Sequence, residues 1–272
     1  MTSLEAHYSA RDLEGRILAA LRAAGLNPEQ RLSPEQLGAL DHFHTGGLRA
    51  SLELMELAQL RADDRVLDLG AGLAGAARLL ASARGCRVDC VERSPDYCAG
   101  AVLLNRLTGL DDRIAVHEGS ALDLPFPDAS FDVVWMQNVG MNIADKRRLY
   151  AEIYRVLEPG GRFAFQEIAA GETATSYFPL PWATDPTDSF LVSADEMRSA
   201  LDERGFVAEY FEDVSDAHAS KTPDGATSAP QGQLSLAVFV DDLAQKAGNA
   251  RRSLEEHQIR LVRGVFRRDH GR

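Results

Sequence analysis

The chain has 272 residues, of which 45% are hydrophobic, and it carries a net charge of −12. This size is sufficient to bury a full core as one large domain with a cap. The acidic balance disfavours nucleic acid and anionic membrane surfaces as partners, because it provides no overall basic field. No apolar run has the length of a membrane span, and residues 1–11 lack the pattern of a secretion signal, so we expect a cytoplasmic protein.

Three cysteines lie close together in one segment, at Cys86, Cys90 and Cys98. This arrangement does not indicate a disulfide framework, and its spacing relative to His42 and His44 matches no zinc pattern. We therefore predict no metal site, and we interpret the thiols as small apolar side chains of the core.

The first sixty residues have the pattern of helices. Apolar residues recur at helical spacing over 12–24, Ser33 and Gln36 form a capping-box pattern, and a third helix is predicted over about 48–60. The connection 41–47 contains two histidines and paired glycines. We interpret it as a loop that approaches a ligand, and a plain polar turn between helices is the alternative.

The middle of the chain alternates short apolar runs with helical patterns. This alternation predicts a parallel sheet with helices on both faces. The segment 131–137 is almost continuously apolar, as a strand buried on both faces should be. The predicted strands are 65–69, 87–92, 113–117, 131–137 and 162–168, and the helices between them are 75–84, 94–108 and 146–157.

The last third is less regular. Residues 169–191 are rich in proline, threonine and aromatic side chains and contain no lysine or arginine, and a connection of this length suggests a lid. Helices are predicted over 194–204 and around 241–258, with a polar stretch at 215–232 between them. Residues 259–267 alternate apolar and basic side chains, which is typical of an edge strand.

The most informative stretch is 66–75. An apolar run ending in Asp68 leads into Gly70, Gly72 and Gly75 and then into a helix. Glycines permit the tight turn, and their missing side chains let a ligand lie against the backbone at the helix N-terminus. The string also satisfies the fingerprint G-x-G-x-x-G, which alone is a weak signal. A nicotinamide-dependent oxidoreductase is therefore one interpretation of this turn.

Four motifs follow one another along the chain: the glycine turn 68–75, the acidic Glu92, Leu124-Pro125-Phe126 followed by 130–134, and 155–161. Over about residues 45–213 they resemble, in order, the motifs of class I S-adenosylmethionine-dependent methyltransferases. The chain is most similar to the small-molecule branch that includes the ubiquinone/menaquinone, sarcosine/dimethylglycine and tocopherol methyltransferases.

The resemblance implies a Rossmann-like, doubly wound α/β fold. It comprises a mostly parallel seven-stranded sheet with an antiparallel last strand beside strand five, N-terminal helices, and a cap over the site. The implied organisation places N-terminal helices and the approaching loop in residues 1–60 and the cofactor-binding domain in residues 61–272. Lid insertions are expected near 169–192 and 215–258.

The resemblance also implies which residues bind S-adenosylmethionine. The three glycines would lie under its methionine and ribose portions, with Asp68 ordering the loop. Glu92 would accept both ribose hydroxyls. Ser120 stands where related proteins often carry an aspartate that binds the adenine amine, and the backbone N–H of Ala121 would face the adenine ring.

On the acceptor side, Gln137 and Asn138 would face the methionine end and the methyl acceptor. His44, in the glycine-flanked loop, and Tyr177, in the aromatic segment, are the candidate catalytic residues for proton transfer. The implied reaction moves a methyl group to N, O or C of a small molecule and leaves S-adenosylhomocysteine. A methyltransferase fold with another activity, cyclase-like or cofactor-sensing, is the alternative.

Overall fold

A computed structural model describes residues 12–174, 177–219 and 234–269. Within these ranges, nine helices surround a seven-stranded sheet, and none of the helices is long and apolar enough to cross a membrane. The helices are α1 (Leu13–Ala23), α2 (Pro34–Asp41), α3 (Gly47–Leu57), α4 (Gly75–Arg84), α5 (Pro95–Thr108), α6 (Lys146–Val156), α7 (Ala194–Arg204), α8 (Ser215–Ala219) and α9 (Leu243–Glu255). The strands are β1 (Arg65–Leu69), β2 (Arg87–Glu92), β3 (Ile114–Glu118), β4 (Phe131–Gln137), β5 (Leu157–Ala170), β6 (Phe206–Asp213) and β7 (Ile259–Arg268).

The strand order is β3-β2-β1-β4-β5-β7-β6. Strands β1 to β5 pair in parallel, whereas β7 runs antiparallel to both of its neighbours, β5 and β6. The predicted Rossmann-like sheet with an antiparallel last strand beside strand five is therefore confirmed. The predicted polar stretch at 215–232 falls mainly on 220–233, outside the described residues.

The position of β7 differs from its sequence-based prediction. The alternating basic residues predict an edge strand, but β7 lies inside the sheet and β6 takes the edge. Arg263 of β7 is only 4% exposed, because its guanidinium donates a 2.9 Å hydrogen bond to Gln166 Oε1 and pairs with Glu53 at 2.8 Å. A basic side chain that finds such partners can occupy an interior strand.

The connection from α6 to β5 also differs. The predicted helix ends at residue 157 and the predicted strand begins at 162, but the helix ends at Val156 and the intervening Pro159-Gly160-Gly161 turn lies within β5. The pairing of β4 with β5 shifts there by several residues, so the turn forms an irregularity in the strand.

Helices cover both faces of the sheet. On one face, α3, α4 and α5 pack over Val66 and Trp135, and on the other α6 and α7 pack over Leu67 and Phe163. The N-terminal helices α1 and α2 form a separate apolar cluster with α5 and with Leu73 of the glycine turn. This packing places the 42–46 loop, which follows α2, beside the carboxyl ends of the central strands.

Candidate functional site

A cavity of about 1200 Å³ opens at the carboxyl ends of β1, β2 and β4. Open α/β sheets bind ligands at this edge. The volume exceeds the range of about 300–1000 Å³ that is typical for one drug-sized ligand. Its walls are formed by the loop 43–46, the strand exits 68–73, 91–97, 119–122 and 137–145, the segment 181–190, and α9.

The glycine turn forms the floor of the cavity beneath β1. Gly70 and Gly72 have φ angles of +65° and +55°, in the region that glycine adopts without strain. A Cβ added to Gly70 would lie 2.5 Å from Val139, whereas one added to Gly72 would project into open space. Gly75 packs differently, because its Cβ would lie 1.8 Å from the backbone oxygen of Asp41. Gly72 is thus the position where a ligand can lie against bare backbone.

Glu92, at the end of β2, is anchored by the backbone of two neighbouring loops. Its Oε2 accepts a 2.9 Å hydrogen bond from the N–H of Gly72, and its Oε1 accepts one of 2.9 Å from the N–H of Ser94. Burial raises the pKa of this carboxyl group. Each oxygen keeps a further lone pair, so the fixed carboxylate can accept two hydroxyls of a ligand in the cavity.

Asp68 lies on β1, directly before the glycine turn, and is almost completely buried. It is 3% exposed, and its Oδ2 has no hydrogen-bond partner among the described residues. Burial raises the pKa of Asp68 to about 7, although a hydrogen bond from the backbone of Ala77 opposes this shift. A buried polar atom without a partner carries a free-energy cost that a ligand donor would relieve.

Ser120 and Ala121 line the cavity beyond the end of β3. The Ser120 hydroxyl accepts a 3.2 Å hydrogen bond from the N–H of Leu122, and the residue is exposed. The resemblance implies that both residues contact the adenine ring of the cofactor. Their cofactor contacts stay predictions.

Gln137 joins His44 to the end of β4. The amide Oε1 of Gln137 accepts hydrogen bonds of 3.0 Å from the indole N–H of Trp135 and from the hydroxyl of Ser51. The Ser51 oxygen lies 3.0 Å from Nε2 of His44, and the backbone oxygen of Thr45 lies 3.3 Å from Nδ1. These contacts hold the imidazole against the cavity wall.

The electrostatic surroundings keep His44 neutral. Burial, followed by the neighbouring His42, lowers the pKa of His44 to about 3. The neutral ring can accept a hydrogen bond from a ligand, but it is a weaker base than a solvent-exposed histidine.

Asn138 and Thr45 meet across the cavity. Asn138 has a φ of +53°, and its Nδ2 donates a 3.2 Å hydrogen bond to the hydroxyl of Thr45. Its Oδ1 is buried without a partner among the described residues. Asn138 thus offers an unused acceptor at the exit of β4, as Asp68 does at the exit of β1.

Tyr177, the other candidate catalytic residue, does not line the cavity. Its hydroxyl donates a 2.6 Å hydrogen bond to Glu256, and the Arg252 guanidinium lies 4.0 Å from the centre of its ring. These contacts occupy the phenol outside the cavity, so the geometry gives no support for a catalytic Tyr177.

Several contributors to the site were missed by sequence reasoning. Ser51 on α3 orients His44, and Tyr97 on α5 lines the cavity and packs edge-on against Phe239. Glu167 of β5 lies outside the lining, but it supports the exit of β4 by accepting 2.9 Å hydrogen bonds from the backbone of residues 139 and 140. Ser51 carries no recognisable sequence signal, because its partner Gln137 lies 86 residues away in the chain.

A family model described as a methyltransferase domain matches residues 67–165. The chain carries a methyltransferase domain. The matched residues run from β1 through β5 and include the glycine turn, Glu92 and Gln137. The resemblance to methyltransferases is therefore confirmed.

The curated relatives match this domain over part of their length. A glycine/sarcosine/dimethylglycine N-methyltransferase from Actinopolyspora halophila is 41% identical over 112 residues, which cover 41% of this chain and 20% of that relative. The next two relatives are covered over 38% and 39% of their length. The chain thus matches well under half of each of these proteins.

Solved structures share the fold of the methyltransferase domain over a larger part of the chain. Geranyl diphosphate C-methyltransferase from Streptomyces coelicolor, solved with S-adenosyl-L-homocysteine, has a TM-score of 0.65 at 18% identity and covers 80% of this chain and 79% of that one. The [4+2]-cyclase SpnF has a TM-score of 0.67 at 21% identity and covers 99% and 97%. At these identities the likeness concerns the fold.

Proposed function

We propose that the protein is an S-adenosylmethionine-dependent methyltransferase that acts on a small molecule. The observation that carries the proposal is the pairing of bare backbone at Gly72 with the anchored carboxylate of Glu92 on one wall of the cavity. The methyltransferase domain matched over 67–165 supports the same assignment.

The residues present fit this cofactor. Glu92 offers fixed lone pairs to two neighbouring hydroxyls, and Gly72 leaves room for the sugar beside them. Asp68 Oδ2 and Asn138 Oδ1 are buried acceptors without partners among the described residues, and they suit the donors of a charged amino group. Gly70, Ser120, Ala121 and Gln137 complete the proposed cofactor set, whereas Gly75 packs against the backbone of Asp41 and does not line the cavity.

When bound, S-adenosylmethionine supplies a methyl group on a positively charged sulfur, already activated for displacement by a lone pair of the acceptor. The protein then has to align that lone pair with the methyl group and exclude water. The buried cavity walls provide the exclusion. The loop 43–46 and the exit of β4 line the cavity, and side chains there can orient an acceptor.

His44 is the residue that we propose for orienting the acceptor. Its ring is fixed by Ser51, and Gln137 Nε2 lies 3.5 Å from its Nδ1. Because the pKa of His44 is about 3, the ring is neutral at physiological pH. It can accept a hydrogen bond from an acceptor hydroxyl or amine, and the low pKa favours orientation over full proton removal.

The alternatives differ in what they leave unexplained. A nicotinamide-dependent oxidoreductase would use Gly72 and Glu92 but not the methyltransferase motifs that follow. A cyclase with this fold is the second candidate, because the likeness to SpnF at 21% identity shows that this fold is also found in a protein with that activity. Methyl transfer itself separates this second candidate from the proposed function.

The test is a calorimetric titration of the full chain with S-adenosylmethionine, S-adenosylhomocysteine, NADH and NADPH, followed by a methyl-uptake assay with a panel of amines, phenols and quinols. Binding of the first two ligands alone, with methyl uptake by a panel member, is the expected result. Binding of a nicotinamide alone would overturn the cofactor assignment. Binding of S-adenosylmethionine with conversion of an acceptor but no methyl uptake would favour the cyclase.

A further inference from the structure

We propose that the methyl acceptor is a bulky, uncharged and mainly apolar molecule that packs against one continuous apolar wall of the cavity. The proposal rests on the proposed function and specifies the substrate class of the same site. The apolar wall consists of residues that line the cavity and belong to one hydrophobic cluster: Met141, Ile168, Trp182, Leu254, Ile259 and Leu261.

The wall is built from buried residues of several elements. Leu261 is 0% exposed, Trp182 and Ile259 are 2% exposed, and Ile168 is 4% exposed, so these four residues form the rigid backing of the wall, and the half-buried Leu254 of α9 presents the surface that a ligand can contact. The four buried residues come from β5, β7 and the segment that follows β5. None of the proposed cofactor residues belongs to this cluster. The wall is therefore a part of the cavity that the proposed cofactor residues leave for another molecule.

Helix α9 presents an apolar stripe to the same cavity. Leu243, Ala247, Ala250 and Leu254 follow the spacing of one helical face, and all four line the cavity. Such a stripe normally packs on a protein core. Two alanines in the middle of the stripe leave room that larger side chains would fill, and this room suits a ligand of ring or branched-chain size.

Charged groups stand at the rim of this part of the cavity. Arg251 pairs with Glu255 at 3.5 Å, and their side chains are 49% and 52% exposed. Arg93 and Arg251 are the basic residues among the described lining residues, and Arg93 directly follows Glu92 at the cofactor end. Because Arg251 is already paired with Glu255, a carboxylate placed on the apolar wall would have to compete with Glu255 for this arginine, which is unfavourable.

This reasoning separates the acceptor from sarcosine and dimethylglycine, which are named as substrates of several curated relatives. Sarcosine and dimethylglycine are small and carry a carboxylate. A neutral molecule gains free energy in proportion to the apolar area that it buries on the wall. We therefore expect acceptors with ring systems or branched hydrocarbon frameworks whose nucleophilic atom reaches the end of the cavity near His44.

The experiment uses the neutral fluorescent probe N-phenyl-1-naphthylamine with the full chain, with and without saturating S-adenosylhomocysteine. Ala247→Phe fills the cavity from α9, and Ala244→Phe places the same side chain on the exposed face of that helix as a matched control. Leu254→Asn puts a polar group into the wall with the same number of side-chain heavy atoms, and it keeps the test valid if the first variant misfolds. Thermal unfolding and S-adenosylhomocysteine affinity are measured for every variant.

We expect the wild type to bind the probe, Ala247→Phe and Leu254→Asn to weaken it by about tenfold or more, and Ala244→Phe to leave it unchanged. Probe binding that is absent, or that survives both cavity variants, overturns the proposal, as does faster methyl uptake by sarcosine or dimethylglycine than by neutral phenols. If the wild type does not bind S-adenosylhomocysteine, the result counts against the proposed function instead. The probe titration without that ligand tests the apolar wall independently.

Discussion

The backbone N–H of Gly72 donates a 2.9 Å hydrogen bond to Oε2 of Glu92, which links the glycine turn after β1 to the end of β2. Strands β1 and β2 are adjacent and parallel, so their carboxyl ends meet at one edge of the sheet. The hydrogen bond sets the carboxylate beside the position where the backbone is bare. This relationship joins a fixed carboxylate and bare backbone in one rigid unit, which is the geometry that the proposed ribose contact requires.

Glu92→Ala should weaken S-adenosylhomocysteine binding by about 1.5–3 kcal/mol, the scale of hydrogen bonds to a charged group. Calorimetry measures the loss. Glu118→Ala is the matched control, because Glu118 pairs with Glu92 in the strand register and is exposed outside the cavity lining. Equal affinities of the two variants would contradict the ribose assignment.

Gly72→Ala should reduce the free energy of S-adenosylhomocysteine binding by more than it reduces the free energy of unfolding. Alanine at this positive φ costs about 1–2 kcal/mol of stability, and its methyl group would occupy the space of the ligand. Gly25→Ala is the control, because Gly25 also has a positive φ, an open Cβ position and no place in the cavity lining.

Urea unfolding and calorimetry together separate the two effects. We expect similar losses of unfolding free energy for the two glycine variants, with weakened binding in Gly72→Ala alone. Full cofactor affinity in Gly72→Ala would show that no ligand lies against this backbone.

Arg78→Leu should destabilise the protein by about 3–5 kcal/mol, because it leaves the buried carboxylate of Asp41 without its cation. Arg78 is 0% exposed, and it donates hydrogen bonds to Asp41 at 3.2 Å and to Asn105 at 2.8 Å. Removing both charges, with Asp41→Leu added, should restore part of the loss. Urea unfolding of the single and double variants gives the coupling free energy.

Arg84→Leu provides the comparison on the same helix. Arg84 pairs with the exposed Glu56, so its loss should cost less than about 1 kcal/mol. Equal destabilisation by the two arginine variants would mean that the pair with Asp41 does not hold α2 against α4.

His44 should remain neutral throughout the physiological range, because its pKa is about 3. An NMR titration of the histidine ring protons should show no inflection from His44 between pH 8 and about pH 5, and the spectrum of His44→Gln identifies its signal. With a methyl acceptor in hand, His44→Gln should lower turnover more than it lowers cofactor affinity. An inflection near pH 6.5 would contradict the buried, neutral ring.

The same shift has a defined effect on stability. Between the ordinary value of 6.5 and about 3, the unfolded chain binds a proton at His44 that the native state does not. His44 therefore makes the protein less stable as the pH falls through this window. The free energy of unfolding should decline more steeply toward pH 4 in the wild type than in His44→Gln, as urea unfolding at a series of pH values can measure.

The sequence by itself determined the order of the elements, the parallel core of the sheet and the residues around the glycine turn. Strand and helix periodicity are local signals, and the motif 68–75 with Glu92 requires only the geometry of two adjacent parallel strands. Gly72 and Glu92, which the resemblance to methyltransferases implied as cofactor residues, both line the cavity, and their contacts with a cofactor stay predictions.

Only the tertiary structure decided which side chains face the cavity from distant parts of the chain. Arg263 lies in an interior strand because Gln166 and Glu53 pair with it, His44 is held by Ser51, and Tyr177 is drawn away to Glu256. Each of these outcomes depends on a partner that periodicity cannot locate. The apolar wall could not be predicted for the same reason. An apolar stripe such as that of α9 has the same sequence pattern whether it packs on a core or borders a cavity.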